Sequence, residues 1–205
     1  MNARIHSLLK EISKLSRMFL PSPNPTGRYS DYEIACMLAF RILSYAEIES
    51  ILEEWASELL NDLATRNKAG LLSRRIQRRI LLHMDMVIKY PPRSLTPSLV
   101  ADPQKKISGF LAHHSSVIGA NNGASEKDVI KMFVPLGVDL HSFDSRWLTS
   151  LRDLSTARGA VAHNPWMNVG IEESPTPEGE RQRLVDPIIG LRTLKNHIES
   201  VRSIA

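Results

Sequence analysis

The chain has 205 residues, of which 42% are hydrophobic and 23% charged, with a net charge of +4 and a single cysteine, Cys36. This composition excludes wholesale disorder, and the length suits one well-packed domain. A lone thiol without a disulfide partner indicates a reducing compartment, and the apolar run around it, IACMLAF, is too short to span a bilayer, so we expect a soluble cytoplasmic protein with no membrane partner.

Two helices are predicted in the first third of the chain. The first covers residues 2–19, where apolar residues recur at helical spacing, and the proline-rich stretch PSPNPTGRYS ends it. The second begins at Ser30, which is followed three positions later by Glu33 in the pattern of a capping box. Its apolar positions are Ile34, Leu38, Ile42, Tyr45, Ile48, Leu52, Trp55 and Leu59. Because these apolar residues recur every three or four positions over this length, they predict one long central helix.

A third helix is predicted at about residues 72–90, and it ends before PPR because proline cannot continue it. The positive charge of the chain is concentrated here, since residues 66–106 carry ten Lys and Arg against two Asp and Glu. Guanidinium groups bind phosphate in a forked geometry and stay charged, so the segment is a candidate RNA-binding surface. A solvated helix face is the alternative. The candidate contact residues are Arg74, Arg75, Arg78 and Arg79.

The remaining sequence predicts shorter helices and a long loop. A short helix is expected around 104–114, and two more at about 125–134 and 144–163. Residues 164–183 are predicted to form a long loop, either a lid over a site or a hairpin between helices. The last helix is predicted to begin after Asp186 as N-cap, with Pro187 in its first position.

These elements predict an all-α fold in a single domain covering residues 1–205. The expected divisions are an N-terminal helix and linker over 1–29, a core over 30–163, a loop over 164–186 and a C-terminal helix over 187–204. The sequence contains no strand pattern, no glycine-rich phosphate loop and no metal-ligand spacing. His113 and His114 lack a third ligand at usable spacing. We therefore expect neither a metal nor a cofactor.

The stretch STARGAVAHNPW, residues 155–166, holds the candidate site. Three Arg/His pairs with four intervening residues occur in the chain: Arg78 with His83, Arg158 with His163, and Arg192 with His197. His83 stands among Ile and Leu, which predicts the edge of a packed face, and the polar surroundings of His197 predict exposure. The residues before His163 are small and allow close approach. Pro165 places His163 in the last helical turn, where the helix dipole favours a protonated imidazole.

The segment LRDLSTARGAVAHN resembles the R-x4-6-H signature helix of the HEPN superfamily. The long early helix, AFRILSYAEIESILEEWASELL, is similar to the HEPN helix that precedes it in the chain. The resemblance implies an up-and-down helical bundle, HEPN-like, that pairs as a two-fold homodimer. Many members are metal-independent endoribonucleases of toxin, phage-defence or RNA-processing systems. Gly159 stands where the family often has Asn or another polar residue, and Pro165 where one branch has a tyrosine that accepts a nucleotide.

The resemblance also implies a role for each motif residue. Arg158 would hold and stabilise the scissile phosphate, and His163 would move protons at the 2′-hydroxyl or the leaving 5′-oxygen, giving 2′,3′-cyclic phosphate ends. RNA carries its own nucleophile, histidine titrates near neutrality and arginine binds phosphorane oxygens bidentately. Residues five apart on a helix point about 140° away from each other. A two-fold axis beside the motif would bring two such pairs into one groove.

Several other residues are candidates for a role beside Arg158 and His163. The residues predicted to support it are Asn164, Glu47, Glu49 and Ser155. The glutamates orient the pair from a neighbouring helix or simply occupy an exposed helix face. Trp166 stacks on an unpaired base or anchors the loop. The alternative for the pair itself is a structural one, in which Arg158 caps a surface feature and His163 bonds a loop carbonyl.

The leading interpretation is a ribonuclease that cleaves single-stranded or looped RNA, with a protein antitoxin or inhibitor as a further candidate partner. The alternative is a non-catalytic HEPN-like helical module that binds RNA or protein. A helical regulator that binds DNA ranks last, because the sequence has no convincing recognition helix.

Overall fold

The computed structural model describes residues 3–87, 102–139, 143–163, 168 and 174–205, and these residues form helices and connecting segments without any strand. The all-α fold class is therefore confirmed. The helices are α1 (Ala3–Phe19), α2 (Asp31–Lys68), α3 (Arg74–Val87), α4 (Pro103–Gly119), α5 (Glu126–Phe133), α6 (Ser145–His163) and α7 (Pro177–Ile204). A short 3-10 turn, Val134–Leu136, follows α5. Within these ranges, no helix is long and apolar enough to cross a membrane.

Helix α2 begins with the predicted capping box. The Ser30 N–H donates to Glu33 Oε2 at 2.8 Å, and the Glu33 N–H donates to Ser30 Oγ at 3.4 Å. The helix runs on to Lys68 because further leucines, Leu60 and Leu63, continue its buried stripe. Gly70 follows the helix at φ 72°, a left-handed conformation that glycine adopts without steric cost.

Helix α4 is longer than the sequence predicts. It starts at Pro103, where Asp102 acts as N-cap and its side chain accepts the Lys105 N–H at 3.1 Å. It continues to Gly119 rather than ending near residue 114, because Ile118 extends the buried face set by Ile107 and Leu111. The prediction erred because Ser and Gly residues in this segment indicated a loop.

The C-terminal helix α7 begins at Pro177, so the predicted helix start at Pro187 is wrong, and so is the predicted loop over 164–186 from residue 177 on. Residues 164–167 and 169–173 of that loop lie outside the described residues. Thr176 is the N-cap, and its Oγ1 accepts the Gly179 N–H at 3.0 Å. Pro187 lies inside the helix, where its carbonyl accepts the Trp147 Nε1–H at 3.0 Å. Pro177 follows Thr176 and Pro187 follows Asp186, and Thr and Asp are both good N-cap residues. The helix starts at the earlier proline because this start places Leu184 in the core.

The chain divides into two compact units. The first comprises Met1–Leu52, Gly123–Glu126 and Asp144–Thr193, which include α1, the first part of α2, α6 and the first part of α7. Trp147 of α6 is buried against α7 so closely that a Cβ at Gly190 would overlap its indole ring. The other large buried side chains of this unit include Met37, Leu38, Phe40, Ile48, Leu151 and Leu191.

The second unit comprises Glu53–Asn122, Lys127–Phe143 and Leu194–Ala205. Helix α3 packs in it against α4 and the 3-10 turn. The buried ring of His114 stacks on Phe110, and its Nε2–H donates to the Met132 carbonyl at 3.0 Å. Burial lowers the pKa of His114 below its ordinary value of 6.5. The core of this unit includes Trp55, Leu59, Leu63, Ile76, Phe133 and Ile198.

Candidate functional site

The last turns of α6 present a helix surface that the first unit leaves largely uncovered. Ala157 is the last fully buried residue, and every residue from Arg158 to His163 is half-buried or exposed. A Cβ added at Gly159 would meet no atom within 4 Å. Since the intervening residues are small, a second backbone or an RNA strand can approach this surface closely.

The side chain of Arg158 is held by an aromatic ring from α2. Its Cζ lies 5.4 Å from the ring centroid of Tyr45, which is itself only 2% exposed. A cation–π contact of this kind contributes about 0.5–1 kcal/mol at exposed sites and more when desolvated. Among the described residues, the guanidinium N–H groups of Arg158 form no hydrogen bond or ion pair, so they can donate to a bound anion.

Hydrogen bonds fix Tyr45 and bring Ser155 into the site. The Tyr45 hydroxyl accepts the Ala124 N–H at 2.6 Å and donates to Ser155 Oγ at 3.3 Å. Ser155 lies one helical turn before Arg158 on the same helix. The ring that supports Arg158 is therefore anchored both to the segment before α5 and to α6.

His163 is the last residue of α6, and it is exposed. Its imidazole is thus open to solvent, whereas the guanidinium of Arg158 is partly covered by Tyr45. The helix separates the two side chains by about 140° around its axis. Within one chain, the geometry therefore does not direct both groups at a single small target.

A buried ion pair beneath the site was not predicted from the sequence. Arg41 of α2 donates from Nε to Glu180 Oε2 at 2.9 Å and from Nη2 to Glu180 Oε1 at 2.6 Å. Its Nη1 donates to the carbonyl of Ala157 at 3.3 Å, the residue that precedes Arg158. The side chains of Arg41 and Glu180 are 0% and 2% exposed. Arg41 thus connects α2, α6 and α7 directly below the motif arginine.

The sequence did contain a signal for this pair. Arg41 occupies the same helical stripe as Leu38, Tyr45 and Ile48, all of them buried. A charged residue in such a stripe requires a partner, because burying an isolated charge is strongly unfavourable. The partner, Glu180, lies in the first turn of a helix that the sequence predicted to be loop.

Of the other residues predicted to lie near the pair, only the two glutamates are among the described residues. Glu47 and Glu49 lie half-buried on α2. Among the described residues, Glu47 forms no ion pair with Arg158 or His163. Asn164 and Trp166 lie outside the described residues.

The basic helix α3 belongs to the second unit, where three of its four candidate RNA-binding residues are exposed. Arg79 differs from the others, because its Nη1 donates to the Gly137 carbonyl at 2.8 Å and its Nη2 lies 4.0 Å from Asp139. Arg79 therefore also stabilises the turn after α5. The exposed residues are Arg74, Arg75 and Arg78.

The two competing Arg/His pairs lie in other surroundings. His83 is half-buried beside the ring of Phe110, as predicted, and burial lowers its pKa. His197 faces the ring of Phe143 with centroids 6.3 Å apart and is half-buried, so the prediction of an exposed side chain is wrong. Its neighbour on the helix, Leu194, is buried and faces the same core.

No group of three or more His, Cys, Asp or Glu side chains in the described part of the chain is placed to hold a metal ion. No family model matches the chain, and no curated protein or solved structure is significantly similar to it. The function must therefore be inferred from the residues and their geometry.

Proposed function

We propose that this protein is a metal-independent endoribonuclease of the HEPN type that acts as a homodimer on single-stranded or looped RNA. The observation that carries the proposal is the uncovered end of α6. There, Arg158 is held at a fixed position over Tyr45, and His163 is exposed in the last turn. Small residues between them permit the close approach of a second subunit and of RNA.

The proposed chemistry uses only the groups at this surface. One His163 accepts the proton of the RNA 2′-hydroxyl as its oxygen attacks the adjacent phosphorus. Arg158 donates charge-assisted hydrogen bonds to the phosphorane oxygens and stabilises the charge that develops there. A second His163, in its protonated form, donates a proton to the leaving 5′-oxygen. The products are a 2′,3′-cyclic phosphate and a 5′-hydroxyl.

A two-fold dimer would place an arginine and a histidine beside the same phosphate, which one chain alone does not do. Arg158 and His163 of one chain point in different directions, whereas a two-fold axis beside α6 brings Arg158 of one subunit near His163 of the other. The lack of a side chain at Gly159 favours this arrangement, since no atom lies within 4 Å of the place where its Cβ would be. The shared cleft would contain two arginines and two histidines.

The exposed arginines of α3 are the proposed RNA-binding surface of the second unit. Phosphate contacts of this kind make affinity strongly dependent on salt. A nuclease of this type fits a cytoplasmic toxin, phage-defence or RNA-processing role. A toxin role would further require a protein antitoxin or inhibitor as partner.

The test is cleavage of a labelled single-stranded RNA and of total RNA in EDTA by wild type and His163→Ala. We expect His163→Ala to lower the cleavage rate about 10²–10⁴-fold, the usual contribution of a general acid or base. His113→Ala is the matched control, because His113 is an exposed histidine on a helix of the other unit. Equal cleavage by wild type and His163→Ala would contradict the proposal, as would fragments without cyclic-phosphate ends.

The contact between Arg158 and Tyr45 favours a second candidate function. A guanidinium engaged by a ring stabilises the packing of α6 on α2, which is a structural role. In that case the protein is a non-catalytic helical module that binds RNA or protein with the same surface. RNA binding without cleavage by wild type, unaffected by His163→Ala, would favour this candidate.

A further inference from the structure

A groove on the first unit is separate from the Arg/His surface. It lies between α1 and α7 and has a volume of about 460 Å³. Neither Arg158 nor His163 lines it. The volume falls in the range of roughly 300–1,000 Å³ that is typical of small-molecule sites.

The floor of the groove is apolar although part of it is open to solvent. Ile189 is 56% exposed and Val185 is 39% exposed, which is unusual for branched aliphatic side chains on the same helix face. Phe40 of α2 closes the bottom of the groove and is fully buried. The other apolar lining residues include Leu9, Ile12, Leu184 and Ile188.

Three arginines surround this apolar floor, and no acidic residue among the described residues lines it. Arg181 Nε donates to Ser16 Oγ at 3.2 Å, so Arg181 lies beside the neighbouring residue Arg17 at one end of the groove. In the described part of the chain, neither Arg17 nor Arg192 has a carboxylate partner, whereas Arg181 Nη1 lies 3.7 Å from Glu178 Oε1 at the exposed side of the helix. The groove therefore combines an apolar floor with an excess of positive charge.

The spacing of the arginines defines the length of the ligand. Arg192 follows Arg181 by eleven positions on α7, so both lie on the same side of the helix about 16 Å apart. An extended alkyl chain advances roughly 1.3 Å per carbon, because C–C bonds of about 1.5 Å zigzag at tetrahedral angles. About twelve carbons therefore fit between the two ends.

The volume of the groove, about 460 Å³, accommodates a single alkyl chain. The two guanidiniums at the Arg17 end suit a carboxylate or phosphate headgroup, which arginine binds bidentately.

We propose that this groove binds a monomeric single-chain amphiphile with an oxyanion headgroup of the fatty-acid class. The headgroup lies between Arg17 and Arg181, and the chain lies over Val185 and Ile189 toward Arg192. Binding at this groove is independent of the ribonuclease proposal, because the two surfaces share no residue.

The experiment is isothermal titration of the full chain with dodecanoate below its micelle concentration. We expect saturable binding with one site per chain. Acetate supplies the head without the chain, and dodecyltrimethylammonium supplies the chain with the opposite charge. Neither should bind. Arg17→Gln and Arg181→Gln should each weaken dodecanoate binding about tenfold, the effect of losing one charge-assisted hydrogen bond.

Arg146→Gln is the matched control, since Arg146 belongs to the same unit and is 90% exposed away from the groove. It should leave binding unchanged, whereas Ile189→Glu at the exposed floor should abolish it. The proposal is overturned if dodecanoate does not bind saturably or if the cationic amphiphile binds equally well. It is also overturned if Arg146→Gln weakens binding as much as Arg181→Gln, or if the protein binds anionic vesicles but not monomeric dodecanoate.

Discussion

Replacing Glu180 with alanine should destabilise the protein far more than replacing a neighbouring exposed glutamate. The change leaves the guanidinium of Arg41, whose side chain is 0% exposed, without its counter-charge. The carbonyl of Ala157, at 3.3 Å, would remain as an acceptor but carries no full negative charge. Removing one partner of a buried ion pair costs about 3–5 kcal/mol in the free energy of unfolding, because the other charge stays buried and unpaired.

Glu178→Ala is the matched control on the same helical turn. Its side chain is 60% exposed and lies 3.7 Å from Arg181, so its loss should cost less than about 1 kcal/mol. In a chain of this length, 1 kcal/mol shifts the Tm by roughly 2–4 °C. We therefore expect Glu180→Ala to lower the Tm by roughly 6–20 °C, and Glu178→Ala by less than about 4 °C.

Thermal and urea unfolding followed by circular dichroism measure both effects. A double variant, Arg41→Met with Glu180→Leu, removes the two charges together and should recover much of the lost stability. The reasoning is refuted if Glu180→Ala unfolds within about 1 kcal/mol of wild type. It is also refuted if the double variant is as unstable as the single one, since an unpaired buried charge would then not be the cause.

Two further predictions concern packing and pH. Gly190→Ala should lower the free energy of unfolding by about 1–3 kcal/mol, because the added Cβ would overlap the indole ring of Trp147. Gly109→Ala, at an exposed helix position where the added Cβ meets no other atom, should raise it by about 0.5–1 kcal/mol. Equal effects of the two variants in urea unfolding would contradict this reasoning. The pKa of His114 is lowered by burial, so the unfolded chain takes up the proton first as the pH falls. Its contribution to stability is full above about pH 6.5 and is lost as the pH falls through the folded-state pKa. The urea concentration at the unfolding midpoint should therefore drop between about pH 7.5 and 5.5 in wild type, and it should drop less in His114→Asn. Equal drops in the two proteins would exclude His114 as the cause of the pH dependence.

The sequence predicted those helices that local patterns define. The capping box at Ser30 and Glu33 and the apolar stripe through Trp55 located the start and the buried face of α2. The start of α7 was missed because Thr176–Pro177 and Asp186–Pro187 are equally good local signals. The choice between them depends on burial of side chains such as Leu184, which is a tertiary effect that a single sequence does not display.

The candidate site was predicted in part. The motif pair Arg158 and His163 was selected by its small neighbours, and both residues lie on an uncovered helix end. The support from Tyr45 was missed, because its place in the apolar stripe indicated only a core residue. The position of Arg41 in a buried stripe indicates that it needs a charged partner, but Glu180 is far away in the chain and only the fold identifies it as that partner.

Subunit mixing tests the central claim most directly. RNA cleavage is measured for wild type, for His163→Ala, and for an equal mixture of the two after dissociation and reassociation. About a quarter of the reassembled dimers then keep both of the His163 residues that the shared cleft requires, so the mixture should cleave at about a quarter of the wild-type rate while His163→Ala alone stays inactive. A mixture at about half of the wild-type rate, as expected for a complete site within each chain, or a variant that cleaves like wild type, would contradict an Arg/His site shared across a two-fold axis.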